Sequence, residues 1–453
     1  MKLVVIGGNP AGLSAASAVR RVHHDWIIDV YEKGPYISYG SCGIPYYISG
    51  IVEDRDKLIT ITKEDFLEKR NIPVHLYQEV LSVNFDAKIV KVKDIKTNKI
   101  FEKNYDYLVI ATGGKPKTCP EIALEHNHIF HVHTIEDADR VKNTLMRSDF
   151  KSGILLGAGY INLEMVEAYK ALGIDDLTIV GPRLIFRTKS QDYIKKELEK
   201  NGIKIILGKY AKNLMAVSDK RLRISFEDGE SLEADFVQIS IGVVPNTDIF
   251  KATKLKMMSG AIIVDEYMRT NIENVFAAGD CTTVFHQILK RNTYIPLAPA
   301  ANKQGRIAGN IIAGNKVDPF PGVVGTSVWK VFDLYCGKTG ITAKEAKELG
   351  YDSDSVLIES NEIAHYYPNR GNQFKLKMTT YLLFDVKTHL LLGAEITAPS
   401  PLGGKKIDVL ATALAAKMKI EDIQKLDLSY APPFAPVWDS ILIAANVARK
   451  KCL

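Results

Sequence analysis

The stretch Val4-Val5-Ile6-Gly7-Gly8-Asn9-Pro10-Ala11-Gly12 decides how this chain begins to fold. It reads as a buried strand, a glycine-rich turn and the start of a helix, and Ile27-Ile28-Asp29-Val30-Tyr31-Glu32 supplies a second strand. Gly7 permits the tight turn and Gly12 lets the helix pack closely on the strand, so a pyrophosphate would rest on the helix N-terminus. Glu32 follows Gly12 by about twenty residues, where an acidic side chain accepts hydrogen bonds from a ribose diol. The pattern predicts a dinucleotide site, although Asn9 replaces the middle glycine.

A second copy of this pattern lies near the middle of the chain. It runs Gly153-Ile154-Leu155-Leu156-Gly157-Ala158-Gly159-Tyr160-Ile161-Asn162-Leu163-Glu164, and a helix and the strand Leu177-Thr178-Ile179-Val180 follow. Asn162 stands in place of the third glycine, so this fingerprint is also imperfect. Two copies in one chain, each between a strand and a helix, predict two bound dinucleotides.

Composition restricts the class of protein. Of the 453 residues, 46% are hydrophobic and 25% are charged, which is typical of a soluble globular chain with about three domains. Because no run of about 18 apolar residues occurs and a strand begins at Lys2, we expect neither a membrane span nor a signal peptide. The net charge of +6 is interleaved along the chain, which argues against nucleic-acid binding and is compatible with a small anionic substrate.

Cysteine usage indicates a reducing compartment. The five cysteines are scattered and show no CxxC spacing; they are Cys42, Cys119, Cys281, Cys336 and Cys452. This pattern argues against a disulfide framework or a zinc site and favours the cytoplasm. Four histidines crowd residues 126–133 without acidic or cysteine partners at ligand spacing, so no metal site is expected.

A third motif identifies one of the two dinucleotides. Thr270-Asn271-Ile272-Glu273-Asn274-Val275-Phe276-Ala277-Ala278-Gly279-Asp280 reads as an apolar strand that ends in a carboxylate suited to polyol hydroxyls. Together with Tyr107-Leu108-Val109-Ile110-Ala111-Thr112-Gly113-Gly114, it resembles the split FAD site of flavoproteins with two dinucleotide domains. This resemblance assigns FAD to the first fold and a nicotinamide cofactor to the second.

The loop after the second fold's second strand bears on the choice of nicotinamide. It runs Val180-Gly181-Pro182-Arg183, and Arg187 and Lys189 follow closely. No carboxylate is available for a ribose 2′-hydroxyl, whereas cations are available for a 2′-phosphate. The loop favours NADPH, or the use of both NADPH and NADH, and the alternative that these cations form a solvated edge stays open.

Six motifs together resemble one family over the whole chain: Gly7 to Gly12, Ser38 to Pro45, Ala111 to Gly113, Ile241 to Asn246, Phe276 to Asp280, and Tyr430 to Phe434. They are similar to the single-cysteine branch of the pyridine nucleotide–disulfide oxidoreductases, in particular the coenzyme A disulfide reductase, NAD(P)H oxidase and persulfide reductase group. The resemblance implies an α/β chain with two Rossmann-like domains and a C-terminal α+β dimerisation domain. It places an FAD-binding domain at residues 1–115 and 241–325, an NAD(P)H-binding domain at 116–240 and the dimerisation domain at 326–453, and it implies a homodimer.

The resemblance also implies two sets of cofactor-binding residues. Those expected at the FAD are Gly7, Gly8, Asn9, Pro10, Ala11, Gly12, Glu32, Lys33, Ser41, Val80, Ala111, Thr112, Gly113, Gly279, Asp280, Leu297, Ala298 and Pro299. Those expected around the nicotinamide cofactor are Gly157, Gly159, Tyr160, Ile161, Asn162, Glu164, Arg183, Arg187 and Gly242. By this resemblance Tyr160 lies over the flavin and swings aside for the nicotinamide; a plain packing tyrosine is the alternative.

Cys42 stands in Ser38-Tyr39-Gly40-Ser41-Cys42-Gly43-Ile44-Pro45, and no second cysteine follows at a resolving distance. A lone thiol beside a flavin either oxidises to a sulfenic acid or pairs with an external thiol. Family members that reduce peroxide or oxygen to water carry a histidine in the first glycine-rich turn, where this chain has Asn9-Pro10, so a mixed disulfide with coenzyme A or a related thiol is favoured. Cys42 then serves as nucleophile and redox relay, and its place at a helix start predicts a stabilised thiolate.

The substrate contacts implied by the resemblance are Ser14, Arg21, Ser38, Arg70, Asn302 and Trp438. Arg21 and Arg70 would pair with coenzyme A phosphates. The alternative is that both are ordinary surface arginines at helix ends. Tyr366, Tyr367 and Tyr430 are candidates to approach the partner subunit's Cys42, and Tyr430 is a candidate to hydrogen-bond the leaving thiolate or the flavin edge.

The activity implied by the resemblance is an FAD-dependent reduction of coenzyme A disulfide, or of coenzyme A persulfide or polysulfide, by NAD(P)H. Two other activities stay open. One is an NAD(P)H oxidase that reduces oxygen to peroxide, and the other is a flavoprotein that passes electrons to a protein partner.

Overall fold

The computed structural model describes residues 1–186, 188–368 and 377–452. The helices in these residues are α1 Pro10–Arg20, α2 Ile44–Ile48, α3 Lys63–Arg70, α4 Ile135–Met146, α5 Tyr160–Ala171, α6 Gln191–Lys200, α7 Ala298–Ile312, α8 Ala343–Glu348, α9 Pro401–Lys405, α10 Ile407–Ala415, α11 Ile420–Ile423 and α12 Ser440–Arg449. The strands are β1 Lys2–Ile6, β2 Ile27–Tyr31, β3 Val74–His75, β4 Gln78–Asn84, β5 Ile89–Asp94, β6 Ile100–Asn104, β7 Tyr107–Ile110, β8 Gly114–Pro116, β9 Ile129–Phe130, β10 Ser152–Ala158, β11 Asp176–Leu184, β12 Lys204–Leu207, β13 Ala211–Ser218, β14 Arg221–Phe226, β15 Ser231–Ala234, β16 Phe236–Ile239, β17 Val243–Pro245, β18 Met257–Met258, β19 Ala261–Ile262, β20 Val275–Ala277, β21 Val284–His286, β22 Arg291–Thr293, β23 Ser327–Val331, β24 Leu334–Gly340, β25 Ser353–Asn361, β26 Lys377–Asp385 and β27 Leu391–Ala398.

A five-stranded parallel sheet in the order β20-β7-β1-β2-β3 forms the first nucleotide fold. Its central strands are almost wholly buried, which explains their continuous apolar sequence. Helices α1 and α7 pack so closely that a Cβ at Gly305 would collide with the carbonyl oxygen of Ala11, and a Cβ at Gly309 with that of Ala15. Strands β1, β7 and β20 all end at one edge of the sheet, where ligands bind in open α/β folds.

The second nucleotide fold repeats this plan with a parallel sheet in the order β12-β11-β10-β16-β9. Every residue of β10 is buried, as expected for a strand covered on both faces. A short antiparallel pair, β8 with β17, joins the segments that enter and leave this fold. The strand predicted at residues 177–180 is observed as the longer β11.

The C-terminal unit is an antiparallel sheet in the order β23-β24-β27-β26-β25. Helices α10 and α12 pack on this sheet through a core that includes Ile407, Leu410 and Ile441. Trp329, Val331 and Cys336 belong instead to the core of the second nucleotide fold, so part of this sheet also supports that fold. An ion pair strengthens this junction, because Lys330 Nζ donates to the two Glu167 carboxylate oxygens at 2.5 and 2.8 Å.

The predicted architecture of two parallel-sheet nucleotide folds followed by an α+β unit agrees with this topology. Among the described residues, no helix combines the length and apolar character that crossing a membrane requires.

The close approach of α7 to α1 generates a stability prediction. Gly305→Ala should lower the free energy of unfolding by about 1–3 kcal/mol, because the added methyl meets backbone rather than space. Urea unfolding measures this free energy. Lys303→Ala on the exposed side of α7 is the control and should change the free energy of unfolding by less than about 0.5 kcal/mol. A more stable G305A variant, as helix propensity by itself would give, would contradict the tight packing.

Candidate functional site

Cys42 occupies a single 3₁₀ turn, Ser41–Gly43, directly before α2. Ile44 and Ile48 of α2 are fully buried and anchor this turn. Glycine follows the cysteine because a Cβ at Gly43 would press on the Leu58 side chain. The Cys42 thiol remains exposed. The chain therefore presents this thiol on a rigid support.

Hydrogen bonds tie the segment before Cys42 to the first glycine-rich turn. Ser38 N–H donates to the Gly8 carbonyl oxygen at 3.1 Å, and Ser38 itself adopts a left-handed backbone with φ of 45°. Tyr39 N–H donates to Asn9 Oδ1 at 3.4 Å. Asn9, which breaks the glycine fingerprint, thus joins the first nucleotide fold to the cysteine segment.

The first turn has the shape of a phosphate cradle. Gly7 adopts φ of +111°, and a Cβ there would collide with the Ala111 carbonyl oxygen. The Glu32 carboxylate accepts N–H groups from Gly8 and Gly34, each at 2.7 Å. These bonds orient Glu32 and leave further lone pairs for a ribose diol. Pro10 and Ala11 begin α1, and Gly12 lies on its first turn.

Polar groups without protein partners face the same edge. Within the described residues, Asp280 makes neither a hydrogen bond nor an ion pair, and the buried Thr112 hydroxyl has no hydrogen-bond partner. Gly113 adopts φ of +70° beside open space. Gly279 N–H is held by Gln304 Oε1 at 2.9 Å. A polar ligand in this edge would satisfy the groups that the protein leaves unpaired.

The remaining residues predicted at the FAD lie around this edge or near it. Leu297 caps α7, and Ala298 and Pro299 open that helix. Val80 is buried in β4, whereas the exposed Lys33 pairs with Glu79 at 2.7 Å. Sequence reasoning missed Tyr294, whose buried hydroxyl lacks a partner in the described residues and lies near Asp280.

The second glycine-rich turn is built differently from the first. Gly157 adopts φ of +101° against the Ser240 carbonyl oxygen, whereas a Cβ at Gly159 would meet nothing within 4 Å. Glycine at 159 is therefore explained by the approach of a ligand rather than by packing. Asn162 is fully buried, and its amide donates to the carbonyl oxygens of Leu156 and Gly157 at 2.8 and 2.7 Å. Asn162 thus braces the turn from the position of the third glycine.

Tyr160 links this turn to the C-terminal sheet. Its hydroxyl hydrogen-bonds Ser327 Oγ at 2.7 Å, and its ring packs edge-on against Trp329 with centroids 4.9 Å apart. Sequence reasoning missed Ser327 and Trp329, because nothing local marks them as neighbours of a residue so distant in the chain. These contacts fit the alternative that Tyr160 is a packing residue. Its movement over a flavin stays a prediction.

Other predicted nicotinamide residues lie close by. Ile161 is half-buried on α5, and Gly242 adopts φ of +123° between β16 and β17. Arg183 is exposed at the end of β11, and Arg187 lies outside the described residues.

The electrostatic surroundings of Cys42 raise the pKa of its thiol. Burial of one side of the thiol contributes most, followed by the charges of Glu164 and Asp280, and a hydrogen bond from Ser41 opposes them. The prediction that the protein itself stabilises the Cys42 thiolate is therefore wrong. Helix α2 spans only five residues, whereas desolvation and two carboxylates oppose the charged form of the thiol.

Glu164 is the charged residue that raises the pKa of this thiol most. It lines a small cavity between α2 and α5 together with Pro45, Tyr46, Ser49, Ile51 and Glu167. Burial, and then the charge of Glu167, raise the pKa of Glu164 to about 7. Glu167, by contrast, is paired with Lys330. Glu164 thus changes its charge near neutral pH within electrostatic range of Cys42.

Two of the residues predicted to contact substrate are in contact with each other. Asn302 Nδ2 donates to Ser14 Oγ at 3.2 Å, which joins α7 to α1. Arg21 and Arg70 are exposed at the ends of α1 and α3, and no described carboxylate lies within ion-pair distance of either guanidinium. Both cations are therefore available to an anionic ligand.

The three predicted tyrosines lie on the surface of the C-terminal unit. The hydroxyls of Tyr366 and Tyr430 hydrogen-bond each other at 2.6 Å, which raises the pKa of Tyr430. The same two segments carry further exposed aromatic and apolar side chains; they are Tyr367, Phe434, Val437 and Trp438. This surface, the tyrosine patch, is unusually apolar for one left in water.

The other cysteines serve packing. Cys281 is buried, its thiol donates to the Ile110 and Ala278 carbonyl oxygens at 3.4 Å, and burial raises its pKa to about 11. All five cysteines lie in the described residues and are free.

The histidines near residue 130 have backbone partners. His131 and His133 bond the carbonyl oxygens of Ile239 and Gly114. The described residues hold no group of three side chains that could bind a metal ion.

Comparison with family models places this geometry in a known class. The model described as pyridine nucleotide-disulphide oxidoreductase matches residues 1–305, and that family's dimerisation domain matches residues 326–440. The chain therefore belongs to the pyridine nucleotide-disulphide oxidoreductases. Its cofactors are FAD and NAD(P)H, and the predicted family, fold class and dimerisation domain are confirmed.

Individual relatives are similar over their full length. The NAD(P)H sulfur oxidoreductase (CoA-dependent) of Pyrococcus furiosus is 37% identical, with 99% of each chain covered. The NADH oxidase of Methanocaldococcus jannaschii is 33% identical, covering 100% of this chain and 99% of the relative. The coenzyme A disulfide reductase of Staphylococcus haemolyticus is 29% identical, with 99% of each covered. Among solved structures, the NAD-dependent persulfide reductase from A. fulgidus has a TM-score of 0.93 at 33% identity, covering 100% of this chain and 83% of that one.

The charge of Glu164 generates a prediction about the reactivity of Cys42. Glu164→Gln removes a negative charge that raises the pKa of Cys42, so the pH midpoint for alkylation of the reduced enzyme should move to lower pH. Iodoacetamide labelling from pH 5 to 10, followed at the Cys42 peptide, measures the midpoint.

Glu167→Gln is the comparison variant, because Glu167 is paired with Lys330 and acts on the thiol only through Glu164, whose pKa its charge raises. Its removal keeps Glu164 ionised, so the Cys42 midpoint in E167Q should not move to lower pH. A midpoint that moves equally in both variants, or that rises in E164Q, would disprove this electrostatic coupling.

Proposed function

We propose that this protein uses NAD(P)H to reduce coenzyme A disulfide, or coenzyme A persulfide or polysulfide, through Cys42. The observation that carries the proposal is the exposed Cys42, which follows a segment whose Ser38 and Tyr39 N–H groups bond the first glycine-rich turn, while the other four cysteines lie elsewhere. A lone thiol in this position forms a mixed disulfide with a thiol from outside the chain.

The residues of the first fold fit FAD. Glu32, braced by two backbone N–H groups, is placed for the ribose, and the turn at Gly7 and Gly8 for the pyrophosphate. Asp280 and the unpaired Thr112 hydroxyl would bond the remaining polar groups. When bound, FAD takes a hydride from NAD(P)H and supplies the electron pair that reduces the sulfur on Cys42.

Cys42 carries the sulfur chemistry. Its thiolate attacks one sulfur of the disulfide substrate, the substrate S–S bond breaks, and one coenzyme A thiolate leaves while the other half stays on Cys42. Two-electron reduction of that mixed disulfide releases the second coenzyme A and restores the Cys42 thiolate. Because burial and the charge of Glu164 hold the pKa of Cys42 high, a neutral residue at position 164 would raise the thiolate fraction at a given pH.

The chain offers cations and amides to a coenzyme A molecule on this face. Arg21 and Arg70 are free of described carboxylates and are suited to bidentate contacts with phosphate. Ser14 and Asn302, already in contact, would bond the polar arm between phosphate and thiol. Ser38 and the exposed Ser41 lie closest in sequence to the thiol.

The tyrosine patch supports a homodimer in which a second copy covers it. Trp438 is 62% exposed and Phe434 57%, and apolar side chains of this size favour an interface. In such a dimer the Tyr366–Tyr430 pair would face the partner subunit's Cys42 and donate a hydrogen bond to the leaving thiolate. Domain boundaries near residues 115, 240 and 325 and a cytoplasmic location, favoured by the five free cysteines, complete the proposal.

An NAD(P)H oxidase is the second candidate, and similarity to the M. jannaschii NADH oxidase favours it. Asn9-Pro10 in the first turn argues against it, because the amide of Asn9 is engaged with Tyr39 and offers no titratable group beside Cys42.

Anaerobic assays with NADPH and NADH separate these activities. Coenzyme A disulfide and persulfide should be reduced, and Cys42→Ser should lower the rate by about 1000-fold or more, because it removes the nucleophile. Cys281→Ser at the buried packing cysteine is the control and should keep its activity. Turnover with oxygen only, or disulfide reduction that survives C42S, would contradict the proposal.

A further inference from the structure

Glu395 of β27 is a half-buried carboxylate that the reaction does not use. It accepts a hydrogen bond from the Thr188 hydroxyl, which lies in the loop after β11. The Ser190 hydroxyl is buried beside the same carboxylate, without hydrogen-bond geometry. Thr188 and Glu395 are 207 residues apart, so this contact exists only because the C-terminal sheet packs on the second nucleotide fold.

The loop has a second anchor on the same sheet. Phe186 is buried and meets Trp329 of β23 edge-on, with ring centroids 4.9 Å apart. Trp329 also packs against Tyr160 of the glycine-rich turn. The C-terminal sheet thus contacts both parts of the second fold that border its nucleotide site.

Glu395 lies between two neighbouring strands of the sheet. Lys338 of β24 and Tyr381 of β26 are its direct cross-strand neighbours. Lys338 Nζ also lies 5.9 Å from the centre of the Tyr160 ring. An ionised carboxylate makes a stronger hydrogen bond than a neutral acceptor does, which suits Glu395 to holding a loop through a hydroxyl.

We propose that Glu395 is a positioning residue for the nicotinamide cofactor: through Thr188 it holds the loop after β11 against the adenosine end of NAD(P)H. In a Rossmann fold this loop contacts the adenosine ribose, so its conformation sets the affinity for that half. The exposed cations Arg183 and Lys189 flank the anchored residues and depend on the same geometry. The inference rests on the second nucleotide fold and not on the identity of the sulfur substrate.

Binding of ADP-ribose to the FAD-loaded enzyme, measured by isothermal titration calorimetry, tests this. ADP-ribose carries the adenosine half of NADH, which NADPH shares apart from its 2′-phosphate, and it lacks nicotinamide. Thr188→Val and Glu395→Ala should each weaken its binding by about tenfold, because each removes a hydrogen bond to a charged group. Glu395→Gln should bind as the unmodified enzyme does, since its amide oxygen still accepts the Thr188 hydroxyl.

The double variant T188V/E395A should bind no more weakly than either single variant, because both remove the same interaction. The KM for NAD(P)H should rise with the dissociation constant while the KM for the disulfide stays constant. Tyr193→Phe is the control; it removes an exposed hydrogen bond of 2.9 Å to Glu359, outside the loop, and should change nothing.

Unchanged ADP-ribose binding in T188V or in E395A would overturn the proposal. So would fully additive losses in the double variant, or equal losses in E395Q and E395A. The FAD content and the thermal unfolding midpoint of each variant show whether a loss of ADP-ribose affinity arises from misfolding. A loss of affinity that parallels a loss of FAD or of thermal stability would also overturn the proposal.

Discussion

The attachment of the Cys42 segment to the first glycine-rich turn is the constraint on which the site depends. The turn is fixed by the left-handed Gly7 against Ala111, and Ser38 N–H bonds the Gly8 carbonyl oxygen. The cysteine follows four residues later, and buried Ile44 locks the next helix. One continuous set of backbone bonds therefore places a thiol beside the edge where a dinucleotide binds.

The C-terminal sheet does more than carry the tyrosine patch. Side-chain hydrogen bonds join it to the second nucleotide fold. They link Ser327 with Tyr160, Lys330 with Glu167, and Glu395 with Thr188 in the loop after β11. These contacts come from two strands of one sheet, β23 and β27, so a change in that sheet reaches the second nucleotide fold directly.

Much of the fold was predictable because its signals are local. Gly7 and Gly157 are needed at positions of positive φ and close backbone approach, and apolar strands flank both. Contacts such as Tyr160 with Ser327, 167 residues apart, carry no periodic signal and were not predictable. The error at Cys42 has the same origin, because its pKa is raised by burial and then by the charges of Glu164 and Asp280, which only the folded chain brings near. Sequence thus shows which residue reacts, while long-range packing sets its charge.

Mass spectrometry of the oxidised protein tests the central claim most directly. Purified enzyme, oxidised in the presence of coenzyme A disulfide and digested without reductant, should yield the Cys42 peptide carrying one coenzyme A. NAD(P)H should remove that adduct and return a free thiol. A sulfenic acid trapped at Cys42, or coenzyme A found on another cysteine and not on this one, would contradict the account.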